Sequence, residues 1–236
     1  MAQQGGRQRA LQLTFPPLFV LQPRWSPDGS RIAFYGRQPD KPFRVYTISA
    51  GGGGLEPSVP GDRDTCDPTW SPNGESLLFG RYPSDEPPDV GPMDLEIVDL
   101  QTHAISKVPG SEQLWSPRWS PDGRHIVAFA RTENRLMLFD TSTQKWAELA
   151  KIGVGWEEWS HNGDYVYFLG NPEGGRSAGV FRVRISDHKL EQVVSLKDFR
   201  QAPTWGSWTA PAPDDSPILV RDAGTQDIYA LDLQLP

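Results

Sequence analysis

The sequence holds a single cysteine, Cys66, so neither a disulfide within the chain nor a four-cysteine zinc site is open to it. Basic residues are in deficit: 23 Lys and Arg stand against 30 Asp and Glu, a net charge of -7. That balance weighs against nucleic acid as a partner, because such a surface needs a basic patch. No apolar run approaches the roughly 18–20 residues of a membrane-spanning helix, so no membrane insertion is expected. Met1 to Ala10 lacks the apolar core of a secretory signal. The chain as it stands is therefore expected in the cytoplasm, or in the periplasm if it is part of a longer exported or anchored protein. Histidines number 4, and His103, His125, His161 and His188 fall at unrelated phases of the pattern below. There is no His-Glu-x-x-His, no Walker A loop and no dinucleotide fingerprint. No catalytic residue, metal or cofactor is expected.

What is abundant is punctuation and aromatics: 23 Gly, 23 Pro and 9 Trp. That mixture disfavours helices and favours short strands joined by tight turns. One string repeats. Trp25-Ser26-Pro27-Asp28-Gly29 returns as Trp70-Ser71-Pro72-Asn73-Gly74 and as Trp119-Ser120-Pro121-Asp122-Gly123. It returns degraded as Trp159-Ser160-His161-Asn162-Gly163, and weakest as Trp208-Thr209-Ala210-Pro211. The tryptophans are 45, 49, 40 and 49 residues apart, and a period of about 40–50 residues is that of a four-stranded propeller blade. Each copy precedes an apolar strand, and Asp28, Asn73, Asp122 and Asn162 supply turn chemistry before it.

The expected architecture is a single all-β propeller domain spanning residues 1–236. It has five four-stranded antiparallel blades, centred on Trp25, Trp70, Trp119, Trp159 and Trp208. Third strands are read at Phe43–Ile48, Leu95–Leu100, Leu136–Asp140, Val180–Ile185 and Ile228–Leu233. The fifth unit lacks a fourth strand, whereas residues 9–15 form an orphan one. Pairing of Leu11–Phe15 with Ile228–Leu233 is therefore expected to close the ring and remove its exposed edges. A closed ring is expected to be monomeric, and one that stays open to self-associate.

The Trp-Ser-Pro-Asp-Gly string, followed by an Ile-Ala-Phe-like strand, resembles the WD-repeat-like blades of the TolB propeller family. It resembles in particular the C-terminal blades of acidobacterial signalling proteins. Related blades occur in the propellers of prolyl-oligopeptidase-type peptidases. The resemblance implies a non-catalytic binding or scaffold module for a protein or peptide and, more finely, the sensor part of a bacterial signalling protein. Two alternatives are a TolB-like periplasmic envelope component and the propeller part of a peptidase or lyase.

The five repeat tryptophans read as packing between blades. A less regular set precedes them: Trp115, Trp156 and Trp205 lie three or four residues before a repeat tryptophan, at the start of an innermost strand. Leu21/Gln22 and Cys66/Asp67 hold the matching places. These positions predict an aromatic channel mouth, with Trp115, Trp156 and Trp205 as anchors and Asp67 and Gln22 as polar contacts. Asp62, Asp64 and Asp67 superficially resemble a calcium string but read as a solvated acidic loop. Arg24 and Arg118 are expected to pair with Glu158 or nearby aspartates. Cys66 reads as a buried thiol.

Overall fold

A computed structural model describes residues 10–81, 94–130, 133–172, 179–201 and 208–224. All regular structure among them is β. The first blade comprises β1 (Phe19–Trp25), β2 (Arg31–Arg37), β3 (Arg44–Ser49) and β4 (Glu56–Pro57). The second comprises β5 (Cys66–Trp70), β6 (Ser76–Gly80), β7 (Leu95–Asp99) and β8 (Ile105–Lys107). The third comprises β9 (Leu114–Trp119), β10 (His125–Ala130), β11 (Arg135–Asp140) and β12 (Lys145–Ala150). The fourth comprises β13 (Gly153–Trp159), β14 (Tyr165–Asn171), β15 (Gly179–Arg184) and β16 (Leu190–Ser195). Each is an antiparallel meander in chain order. A two-stranded hairpin, β17 (Thr209–Pro211) with β18 (Pro217–Leu219), follows.

The repeated string builds one turn four times. In the first blade the Ser26 hydroxyl donates to Asp28 at 2.6 Å and accepts from the Arg31 amide at 2.9 Å. Ser71, Ser120 and Ser160 repeat both contacts with Asn73, Asp122 and Asn162 and with the amides of Ser76, His125 and Tyr165. Gly29, Gly74, Gly123 and Gly163 follow with φ between 69° and 77°, the left-handed region where a side chain is strained. Hydrogen bonds from Ser26 and Ser30 hold the exposed Asp28 carboxyl down at a pKa of about 2.

Middle strands are apolar on both faces because each blade is sandwiched between neighbours. In β2, Ala33 and Tyr35 face the second blade and pack with Leu77, Phe79 and Val98. In β6, Leu78 turns the other way, toward Ile126, Ala128 and Phe139 of the third blade. Val127, Leu136 and Leu138 continue the series into Val166, Phe168 and Phe181 of the fourth. Tyr167, Leu169 and Val180 reach Leu219 of the hairpin. The period of two along each strand thus distributes alternate residues to successive interfaces. Outer strands such as β16 stay largely exposed.

The structure corrects the sequence reading at both ends. Among the described residues there are four four-stranded blades and one two-stranded unit, not five complete blades. The fifth copy has lost the Ser-Pro pair that ties the turn to the next strand. Its expected third strand, Ile228–Leu233, lies outside the described residues. Leu11–Phe15 is not a strand. Leu13 and Leu18 instead lie on Ile32, Phe34, Tyr46 and Ile48, the face of the first blade turned away from the second. Apolar burial on that face, rather than an edge ladder, fixes the segment. Two outer strands are short: β4 spans only Glu56–Pro57, and β8 only Ile105–Lys107.

The repeat tryptophans are not equivalent. Trp70 and Trp159 are each 7% exposed, and Trp25 is 61% exposed. The indole N–H groups of Trp70 and Trp159 donate to the backbone carbonyls of Arg24 and Arg118, each at 3.0 Å, in the blade before. Trp119 donates instead to Gly123 of its own turn at 3.3 Å. For Trp25 no acceptor stands among the described residues.

Candidate binding site at the channel mouth

The innermost strand of each of the four complete blades carries the same irregularity. The β1–β2 register slips between Leu21 and Arg24, β5–β6 between Cys66 and Thr69, β9–β10 between Trp115 and Arg118, and β13–β14 between Gly155 and Glu158. Within each slip one residue is left-handed: Gln22 (φ 48°), Asp67 (φ 50°), Ser116 (φ 54°) and Trp156 (φ 59°). Each sits three residues before a repeat tryptophan. This is a β-bulge, which re-aims a side chain and bends the strand. None of the four is glycine, so no glycine marks the bulge in the sequence.

The bulges bring the four blades together. The Ser116 hydroxyl donates to Asp67 at 2.6 Å. Gln22, Ser116 and Trp156 line one cavity of about 350 Å3 together with Trp115, Arg118 and Glu157. A second, of about 490 Å3, lies between Gln22 and Arg24 of β1, Trp156 and Glu158 of β13, and Trp208 at the hairpin. An ion pair between Arg24 and Glu158 joins the inner strands of the first and fourth blades across the channel.

At the centre lies Arg118, whose side chain is 2% exposed. Its guanidinium is 2.9 Å from Asp67 and 3.5 Å from Glu158. Burial weighs against its charge, but Asp67, Glu157 and Glu158 together outweigh burial and hold the proton more firmly than usual. Glu157 is 1% exposed. Burial pushes its carboxyl up to about 7, against the pull of Arg118 and with the help of Asp67. Several buried polar atoms here have no hydrogen-bond partner: Gln22 Oε1, Arg24 Nε, Arg118 Nε and Nη2, and Glu157 Oε1. Natural structures leave few such atoms, and a concentration of them marks a place where a ligand or water belongs.

Of the expected mouth residues, Gln22, Asp67 and Trp156 share the bulge position. Trp115 does not. It is one residue earlier, level with Leu21, Cys66 and Gly155, and it packs against the core between the first two blades. Ser116, three residues before Trp119, holds the bulge place in its blade. Trp205 lies outside the described residues, three residues before Trp208. The acidic string does not form one site. Asp62 stands 3.7 Å from Arg44, Asp64 accepts from the Phe43 amide at 2.8 Å, and Asp67 is buried rather than solvated. The expected pairing of Arg24 and Arg118 with Glu158 is present. The burial of Glu157 is not legible in the sequence, which shows only two adjacent glutamates.

Cys66 is buried, and burial, reinforced by Asp67 and Asp64, pushes its thiol pKa well up. Among the described residues no three His, Cys, Asp or Glu side chains are grouped to hold a metal ion. Gly175-Arg176-Ser177-Ala178-Gly179 has the spacing of a nucleophile elbow. It joins two antiparallel strands of one blade, whereas an elbow needs a strand-to-helix turn. Ser177 lies outside the described residues. The His161 ring and amide both meet Asp215, at 2.8 and 3.0 Å, tying the fourth turn to the hairpin.

With this geometry the chain can be set beside known proteins. No family model matches it. The crystal structure of TolB from Acinetobacter baumannii superposes with a TM-score of 0.67 at 17% identity, covering 83% of this chain and 47% of that one. The fold is that of a TolB-like β-propeller. An oligogalacturonate lyase from Vibrio parahaemolyticus superposes with a TM-score of 0.60 at 12% identity, covering 82% of this chain and 56% of that one. In sequence, an uncharacterized peptidase, YuxL of Bacillus subtilis (strain 168), is 38% identical over 56 residues, 24% of this chain and 8% of its own. The chain thus spans about half the length of the TolB structure and a small part of the peptidase.

Proposed function

We propose that this chain is a non-catalytic propeller module that binds a protein or peptide segment at the channel mouth. The observation that carries the reading is the buried, incompletely partnered cluster of Gln22, Arg24, Arg118 and Glu157 beside Trp156. Orphaned buried polar atoms cost stability, so a site that keeps several of them is built for something that completes them. Two cavities of about 350 and 490 Å3 meet at Gln22 and Trp156. Both fall in the size range of ligand pockets, about 300–1,000 Å3. A tryptophan at their junction is the residue type most often found at binding hot spots. A sensory role within a bacterial signalling protein and a cytoplasmic setting belong to the same proposal.

Selection of peptides from a displayed library on the purified protein tests it. Bound sequences should lose affinity about thirtyfold when Trp156→Ala is introduced, the cost of removing a hot-spot anchor of about 2 kcal/mol. Trp156 also packs against Tyr167, Leu169 and Val180, so the variant's thermal midpoint should fall, and affinity is compared at a temperature where both proteins are fully folded. Selected peptides that bind Trp156→Ala and wild type equally would place the site elsewhere. A second reading, the propeller part of a peptidase, is favoured by the 56-residue similarity to YuxL. It predicts a hydrolase domain encoded next to this chain, which genomic context tests.

A further inference from the structure

The charge count at the channel centre is uneven. Asp67 of β5 and Glu157 and Glu158 of β13 contribute three carboxylates, against the two guanidiniums of Arg24 of β1 and Arg118 of β9. Both guanidiniums already face carboxylates, Arg24 with Glu158 and Arg118 with Asp67 and Glu158. The surplus falls on Glu157, which is buried, lines the 350 Å3 cavity and has Oε1 unpartnered. Gln22 Oε1, a second acceptor without a partner, lines the same space. Trp115, Phe129, Val154 and Trp156 complete its walls.

A carboxylate or phosphate ligand would bring a negative charge into a buried site whose carboxyl groups already outnumber its guanidiniums. A cation removes the surplus. It also gains the two open oxygens and the aromatic faces, which attract cations most when water is excluded. An apolar stem behind the charge suits the remaining walls.

Building on the peptide-binding reading above, we propose that this cavity takes a primary ammonium group, offered by a bound peptide as a lysyl side chain or as its terminal amine. Glu157 and Gln22 are its acceptors, and Trp156 and Trp115 flank its stem. When the cation is absent, a proton occupies its place on Glu157. Binding therefore releases that proton, and affinity rises with pH until Glu157 ionises unaided.

The probes are Nα-acetyl-lysine methylamide for the side chain and glycine methylamide for the terminal amine. Nα-acetyl-norleucine methylamide and Nα-acetyl-glutamate methylamide are the controls. Binding is followed by tryptophan fluorescence and titration calorimetry at pH 6, 7 and 8. One of the two amines should bind saturably, and whichever does so identifies the source. Norleucine and glutamate derivatives should bind at least about tenfold more weakly. For the lysyl amine, a proton released from a group titrating near pH 7 raises affinity about fivefold from pH 6 to 7 and about twofold from pH 7 to 8; a terminal amine, which itself loses its proton near pH 8, shows the first rise and then levels off. Glu157→Gln should weaken amine binding at pH 8 by tenfold or more and abolish the pH dependence. Should Glu157→Gln fold poorly, Gln22→Leu removes the other acceptor and should also weaken the amine. Equal binding of lysine and norleucine derivatives, preference for glutamate, pH-independent affinity, or no saturation by either amine would each overturn the proposal. Trp156-dependent capture of peptides lacking any amine would overturn it too while leaving the binding-module reading standing. Amine binding by the cavity, with library peptides insensitive to Trp156→Ala, would have the reverse meaning.

Discussion

Arg31 holds its guanidinium 4.7 Å above the ring of Trp70, the repeat tryptophan of the next blade, and donates to the Gly74 carbonyl at 2.7 Å. His125, at the same place in the third blade, stacks on Trp159 with ring centres 6.4 Å apart. In the second blade that place is Ser76, too short to cover Trp119, and Trp119 turns to its own Gly123. A residue six positions after one repeat tryptophan thus decides how the next is held.

Tryptophan truncations should accordingly separate. Trp70→Ala and Trp159→Ala each remove a buried ring and orphan a carbonyl, and should cost about 3–5 kcal/mol. Trp25→Ala should cost less than about 1 kcal/mol, since that ring is mostly in solvent. Urea melts of the three variants measure this. Equal losses would show that Trp25 is packed in solution.

Stability should fall as pH rises through neutrality. The folded-state pKa of Glu157 is raised from 4.5 to about 7, so the folded protein holds a proton that the unfolded chain releases. The associated stabilisation is fully present below about pH 4.5 and is lost as pH rises through about 7. A shift of that size corresponds to an upper limit of about 3 kcal/mol. Glu157→Gln should flatten the profile and be more stable than wild type at pH 8. A wild-type profile already flat from pH 5 to 8 would contradict the assignment.

Cys66 should be silent toward thiol reagents in the folded protein. Its thiol is buried and its ionisation opposed by burial and by Asp67, and only the thiolate reacts. Labelling with iodoacetamide should follow global unfolding across a urea series. Rapid native labelling would mean that the innermost strand of the second blade opens on its own.

The N-terminal segment should matter through its side chains rather than through strand pairing. Leu13→Ala uncovers part of the face formed by Ile32, Phe34, Tyr46 and Ile48. It should lower stability by about 1–2 kcal/mol and promote self-association at high concentration, as exposed apolar patches do. Light scattering and urea melts together test this. A monomeric variant of undiminished stability would show that the contact carries no weight.

The repeat was legible because turn formation is local. Ser, Asp or Asn, and Gly at fixed offsets satisfy one another within six residues, and the string Trp25–Gly29 carries that chemistry in full. Blade order followed from the period alone. The end of the ring was not legible in the same way. Leu11–Phe15 has a strand-like composition, but its docking depends on which apolar face lacks cover, and that is a non-local fact. The mouth was half legible. Aromatics at Trp115 and Trp156 signalled the region, yet they stand four and three residues before their repeat tryptophans, and no residue type announces which of the two offsets is the bulge. The charge network needed the fold, because Asp67, Arg118 and Glu157 come from three blades.

The left-handed bulge has a practical consequence for redesign. An L-residue held there costs roughly 1–2 kcal/mol of backbone strain, yet Gln22, Asp67, Ser116 and Trp156 all adopt it with φ between 48° and 59°. An amide, a carboxylate, a hydroxyl and an indole all adopt it, so the flanking ladders impose the conformation whatever the side chain. The inner ring therefore behaves as a short combination lock with one tumbler per blade. Exchanging the half-exposed pair, Gln22 and Trp156, should change what the mouth accepts while the blades fold as before, whereas Asp67 and Ser116 are fixed by their tie to the buried Arg118.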